Sequence, residues 1–211
     1  SSGDAPPAPW HVVGLPRQTK PFTRFSVVDV AGGRAVKIVA DASYGNLVRP
    51  LAPGSAPAFI SWRWRIERPL ARANLREKSG DDAAAKVCVS FDEPIDKLSL
   101  GERIALRYFR AQSKEPVPAA TICYVWDSHL AAGTALDNAF TRRMRYLVLE
   151  SGNQRPDRWA AERRDLGADF KRLFGAESAT VPVVVGVAIG ADADNTQGHS
   201  IAYVADLALD P

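Results

Sequence analysis

Between Phe59 and Glu67 the chain reads Phe-Ile-Ser-Trp-Arg-Trp-Arg-Ile-Glu, so that Ile60, Trp62, Trp64 and Ile66 alternate without a break against Ser61, Arg63, Arg65 and Glu67. A side-chain period of two belongs to a β-strand with one buried and one wet face. Indoles on the buried side carry some of the largest apolar areas any side chain offers, and they need a second layer to cover them. A two-layer β domain follows. The outer face then carries Arg63 and Arg65 one strand-step apart, which is the surface feature that most resembles a recognition element.

The rest of the chain supports that architecture. Arg24 to Val30 and Arg34 to Ala40 are β-rich runs joined by Ala31-Gly32-Gly33, a hairpin signal with glycines where positive φ is needed. Asn46 to Leu51 is a shorter strand, and the polar stretch Leu70 to Asp82 reads as an exposed loop. In Ala83 to Asp92 the residues Ala83, Ala85, Val87, Val89 and Phe91 share one face, with Lys86, Cys88, Ser90 and Asp92 on the other. Leu98 to Phe109 fits helix or strand. Ala119 to Asp127 alternates again, Gly133 to Phe140 is loop-like, Arg142 to Ser151 is a strand, and Trp159 to Asp165 is strand or coil. Asp165 suits the N-cap of a short helix whose Leu166, Phe170, Leu173 and Phe174 recur at helical spacing, with Gly175 at C′. Val181 to Ala191 is a nearly continuous apolar run, expected as a fully buried strand, and a last strand covers about Ser200 to Leu209. Many short strands with one helix predict an all-β, two-layer β-sandwich of jelly-roll, galactose-binding-like type. Residues 1–9, rich in Ser, Ala and Pro, are expected as a flexible segment or cloning scar ahead of a single domain over 10–211.

Composition sets limits on partners. At 211 residues the chain can bury a core without help from metal or disulfide. A net charge of +3 is compatible with an anionic partner but lacks the clustered charge of a nucleic-acid binder. No apolar run is long enough to span a membrane. Cys88 and Cys123 both sit in strand-like runs, on the side opposite the large apolar residues. A disulfide and two buried thiols are the alternatives, the first requiring an oxidising compartment.

Motifs for chemistry are sparse. Gly-x-Ser-x-Gly, the phosphate-binding loop, His-Glu-x-x-His and Cys-x-x-Cys are all missing, and His11, His129 and His199 show no ligand spacing. Asp192-Ala-Asp194-Asn195-Thr196 gathers hard oxygen ligands of the kind calcium favours, with Asp206 or Asp81 as further donors. The EF-hand pattern fails at Gln197 and Tyr203, and the same residues suit a turn whose Asp and Asn side chains bond their own backbone. Asp81-Asp82 and Asp92-Glu93 cannot each form a glycosidase pair, because adjacent strand residues point to opposite faces. Arg107-Tyr-Phe-Arg-Ala111 has a superficial likeness to the Tyr-Phe-Lys-Ala segment of alginate lyases, whose Gln-x-His element is missing here.

An ordered set of segments carries a family resemblance. Trp62-Arg-Trp-Arg65, Lys78-Ser-Gly-Asp-Asp82, Tyr124-Val-Trp126, Trp159-x-x-Glu162-x-Arg164, Asp169-Phe170, Phe174-Gly175 and Asp192-x-Asp-Asn-Thr196 follow one another along most of the chain. In this the sequence resembles the bacterial family catalogued as domain of unknown function 3047, with Lys86 where that family usually carries Arg. The resemblance implies export to the periplasm or secretion, and no reaction. The closing strand also resembles that of jelly-roll carbohydrate-binding modules, in which an acidic residue helps to hold a structural calcium; Asp206 is the matching position.

Together these readings predict a periplasmic or secreted β-sandwich without catalytic residues. It would bind an acidic polysaccharide or envelope glycan through Arg63, Arg65 and Lys86, with no cofactor other than a structural calcium at Asp192, Asp194 and Asp206. The alternatives are a lyase or glycoside hydrolase acting on an acidic glycan, and a structural or interaction domain of the cell envelope.

Overall fold

The computed structural model describes residues 3–31, 33–113, 115–152 and 158–211. They form two packed sheets, as the alternation of Phe59–Glu67 requires. The seven-stranded sheet has the order β1 (His11–Val13), β4 (Tyr44–Pro50), β11 (Val184–Asp192), β6 (Ala83–Phe91), β7 (Ala120–Asp127), β9 (Met144–Ser151) and β8 (Ala135–Asp137). The five-stranded sheet has the order β10 (Ala160–Asp165), β5 (Phe59–Arg68), β12 (His199–Asp210), β3 (Gly33–Asp41) and β2 (Arg24–Val30). The chain crosses between sheets at β1 to β2, β3 to β4, β4 to β5, β5 to β6, β9 to β10, β10 to β11 and β11 to β12. It is a jelly-roll type of β-sandwich.

The main core lies between the sheets. Ile60, Trp62, Trp64 and Ile66 of β5 are buried there, facing Val87, Val89 and Phe91 of β6 and Ile122, Tyr124 and Trp126 of β7. The aromatic rings meet edge-on or tilted, Trp62 with Trp64 at 5.4 Å and with Tyr124 at 5.3 Å, and Trp64 with Trp126 at 5.7 Å. Helix α2 (Leu166–Phe174) closes one side of this core with Phe170 and Phe174, its N-terminus capped by the Asp165 side chain on the Ala168 amide.

A second, smaller core lies on the outer face of the seven-stranded sheet, where Cys88, Cys123, Val125, Tyr146 and Val148 are covered by Leu75, Leu130 and Leu136. Cys88 and Cys123 face each other across β6 and β7 and are joined in a disulfide.

Several sequence expectations need correction. The segment 70–82 is not simply an exposed loop, since Leu70, Ala73, Leu75, Asp81 and Asp82 are buried. Within the stretch read as a loop, Ala135–Asp137 pairs with β9. The ambiguous stretch is a helix, α1 (Leu100–Gln112), fixed by a capping box of Ser99 and Glu102. Val181, Val183 and Val185 are exposed, so the apolar run is not buried throughout. Gly175 ends α2 with right-handed φ and ψ rather than the left-handed conformation. A Cβ there would meet the Lys171 carbonyl oxygen at 2.3 Å, so close approach explains the glycine. In the β2–β3 hairpin Gly33 has φ 121°, while Gly32 lies outside the described residues. Of the expected flexible segment 1–9, residues 1 and 2 also lie outside them, and Asp4 pairs through its backbone with Val27 of β2.

Candidate binding face

The outer face of the five-stranded sheet carries Arg63 and Arg65, as alternation along β5 dictates. Register brings other residues beside them. Arg65 lies opposite Tyr203 of β12, Tyr203 opposite Lys37 of β3, and Lys37 opposite Ser26 of β2. Trp159, just ahead of β10, completes the row. The Arg65 guanidinium lies 4.2 Å from the Tyr203 ring centroid and 5.6 Å from that of Trp159. Arg63 lies 5.1 Å from the Trp159 ring and Lys37 Nζ 5.9 Å from the Tyr203 ring. These are cation–π distances, each worth about 0.5–1 kcal/mol where exposed. Tyr203, Ala35 and Ala205 are buried on this face, with Val28, Val30, Trp159 and Ile201 packed against them, so Tyr203 is only 5% exposed.

Two carboxylates are tied into the row. The Tyr203 hydroxyl donates to Glu67 at 2.6 Å, and Arg63 Nε donates to Asp206 Oδ2 at 2.5 Å. Asp206 sits at the register shift between Ala205 and Ala208 with φ 54°, a left-handed conformation that Asp tolerates better than most residues. The bulge places its carboxylate beside Arg63. By register Arg24, Lys37, Arg63, Arg65 and Arg163 share the face with Asp41, Glu67, Asp165, Asp206 and Asp210, so charges of both signs are interspersed there; Arg163 stacks on Phe59 at 3.7 Å. Beside the row, Phe22, Arg24, Ser26, Lys37 and Val39 line an open depression of about 820 Å³. Lys37 belongs to both.

The sequence reading placed Lys86 on the same strip, and the structure does not. Lys86 lies in the other sheet and is only 2% exposed. Its ammonium donates to Asp192 at 2.6 Å and sits 5.0 Å from the Tyr44 ring. Burial opposes its charge, but Asp192, with Tyr44 and Asp81, holds its pKa above the ordinary lysine value. Lys86 is part of a buried polar anchor.

The carboxylates proposed for calcium are dispersed. Asp192 accepts from Lys86 and from the Ala83 amide, Asp194 from Lys20 at 2.6 Å, and Asp206 lies on the other sheet with Arg63. Asp82 accepts from the Asn195 and Thr196 amides and the Thr196 hydroxyl, which locks the 192–198 turn onto the start of β6. Asp81 accepts from Tyr146 and Asn138. Among the described residues no group of three or more His, Cys, Asp or Glu side chains is arranged to hold a metal ion.

Sequence reasoning missed Lys37, Tyr203 and Trp159. Alternation of Ile201, Tyr203 and Ala205 against Ala202 and Val204 in β12 puts Tyr203 on the outer side, but only strand order shows that β12 lies between β5 and β3.

A β-sandwich whose outer sheet face stacks arginines on aromatic rings is the class of protein that this fold and face define. The chain belongs to the family described as Protein of unknown function (DUF3047), whose model matches residues 8–208. No curated protein matches it. Among solved structures it is similar to the carbohydrate-binding module TmCBM61 in complex with β-1,4-galactotriose, at 9% identity over 96% of this chain and 88% of that one, with a TM-score of 0.40. It is also similar to the cellulose induced protein Cip1, at 11% identity over 94% and 89% of the two chains, with a TM-score of 0.38. No helix among the described residues is long and apolar enough to cross a membrane.

Proposed function

We propose that this protein is a non-catalytic binder of acidic glycans, acting outside the cytoplasm through the outer face of the five-stranded sheet. The observation that carries the reading is the row Lys37–Tyr203–Arg65–Trp159. Sugar rings present apolar C–H faces that pack on aromatic side chains, for which the partly exposed Trp159 is the available ring, Tyr203 being buried, and uronate carboxylates suit the planar fork of a guanidinium. Stacking between Tyr203 and Trp159 holds the Arg65 plane in place before a ligand arrives, which reduces the ordering cost of binding. The Arg63–Asp206 pair is partly exposed, and exposed pairs are worth about 0–1 kcal/mol, so a ligand carboxylate can compete for that arginine. The Cys88–Cys123 disulfide supports an oxidising compartment.

Affinity electrophoresis against uronate-rich and neutral polysaccharides tests the reading. Retardation by the uronate-rich polymers, weakening with salt, with no unsaturated or reducing products after long incubation, is the expected result. Product formation would instead make the face that of a lyase or hydrolase.

A further inference from the structure

Helix α1 is turned the wrong way round for an ordinary surface helix. Such helices bury their apolar stripe against the core. In α1 the one buried residue is Leu106, which packs with Leu98 and Ala119. Leu100, Ile104 and Tyr108 follow one another at intervals of four and so form one stripe. Leu106 is two residues from both Ile104 and Tyr108, which at 3.6 residues per turn places it on the opposite side. The stripe therefore faces away from the protein, with Leu100 70%, Ile104 60% and Tyr108 64% exposed, and Phe109 beside it 51% exposed.

The charges on the helix are as one-sided as its apolar residues. Its single acid, Glu102, is held by Ser99 and by Arg143 at 2.9 Å. Arg103 and Arg110 donate to the carbonyls of Leu98 and Val117 and lie with the exposed Arg107 along one flank of the stripe, between it and Leu106. Among the described residues no carboxylate lies within ion-pair distance of these three arginines. An outward apolar stripe bordered along one flank by arginines matches a surface that is apolar inside and negatively charged at its boundary.

We propose that α1 is an interfacial helix that seats this protein on an anionic lipid surface, with Leu100, Ile104 and Tyr108 entering the acyl boundary and Arg103, Arg107 and Arg110 lying among the headgroups. The capping box keeps the helix folded before contact, so little ordering cost is left for binding. The sheet face proposed for glycans plays no part in this contact.

Co-sedimentation of the full chain with phosphatidylglycerol/phosphatidylcholine vesicles, and with phosphatidylcholine vesicles alone, tests this. The expected result is partition onto the anionic vesicles, weakening with salt, and lost in Ile104→Asp/Tyr108→Asp. Arg107→Glu/Arg110→Glu, which leaves the stripe intact, should weaken partition by more than about tenfold. Circular dichroism of each variant separates loss of binding from loss of fold. No partition onto anionic vesicles, or equal partition of wild type and a folded Ile104→Asp/Tyr108→Asp variant, would overturn the proposal. Sedimentation equilibrium without vesicles provides a second arm: a dimer abolished by the same substitutions would assign the stripe to a second copy of the chain and overturn the lipid reading.

Discussion

The phenol of Tyr124 donates to Oδ2 of Asp169 at 2.9 Å, and Arg164 forks onto both oxygens of the same carboxylate at 2.9 and 2.6 Å. Three segments that carry the family resemblance thus meet at one point, joining β7, β10 and α2 at the edge of the main core. Asp169 is buried, so removing it strands a buried hydroxyl and uncouples a guanidinium. Asp169→Ala should destabilise the fold by about 3 kcal/mol, and Tyr124→Phe, which removes only one donor, by about 1 kcal/mol. Urea denaturation checks both values; equal effects would mean that Asp169 does not centre the network.

Acidity acts on the other sheet. Burial, followed by the charge of Asp192, pushes the Asp81 carboxyl up to about 6 from 3.8. A carboxyl raised on folding binds its proton more tightly in the native state. Its contribution to stability is therefore full below the unfolded value and is lost as pH rises through the folded one. Asp81→Asn cannot ionise and should gain stability relative to wild type between about pH 4 and pH 7, by at most about 3 kcal/mol. A flat difference, or one of opposite sign, from denaturation at several pH values would show that Asp81 is not raised.

The Cys88–Cys123 bond closes a loop between strands at the base of the smaller core, with a sequence separation of 35. Reduction, or Cys88→Ala/Cys123→Ala, should lower unfolding free energy by about 2–4 kcal/mol while leaving the far-ultraviolet spectrum native. An unchanged denaturation midpoint in reductant would indicate that the thiols are not bonded.

Asp192 and Asp194 are held by Lys86 and Lys20, and Asp206 lies too far off, in the other sheet, to join them. Chelator and added calcium should both leave the melting temperature unchanged. A rise with calcium that chelator reverses would show mass action on a bound ion, and would place ligands here after all.

Much of the sandwich could be read from sequence because the tryptophans of β5 and the aromatic residues of β7 alternate cleanly, so parity alone assigns their core face. The same parity put Lys86 opposite the core, correctly, but parity cannot say whether an outer face is wet. Asp192, Tyr44 and Asp81 surround Lys86 there, and it is buried. The binding row was half legible: Arg63 and Arg65 are neighbours by alternation, whereas Lys37, Tyr203 and Trp159 join them only through pairing between strands distant in sequence. Helix α1 stayed ambiguous because Leu98, Leu100, Ile104, Leu106 and Tyr108 all fall at even positions, so the run fits a period of two as well as the helical i, i+4 spacing.

The central claim is most directly tested by isothermal titration of a defined oligouronate into wild type, Lys37→Ala and Arg63→Ala/Arg65→Ala, with the neutral oligosaccharide of the same linkage as reference. Salt-sensitive binding of the oligouronate by wild type, weaker binding by Lys37→Ala, loss in the double variant with its fold retained, and little response to the neutral sugar are the expected results. Undiminished binding by a folded double variant, or equal affinity for the charged and neutral oligosaccharides, would contradict the claim.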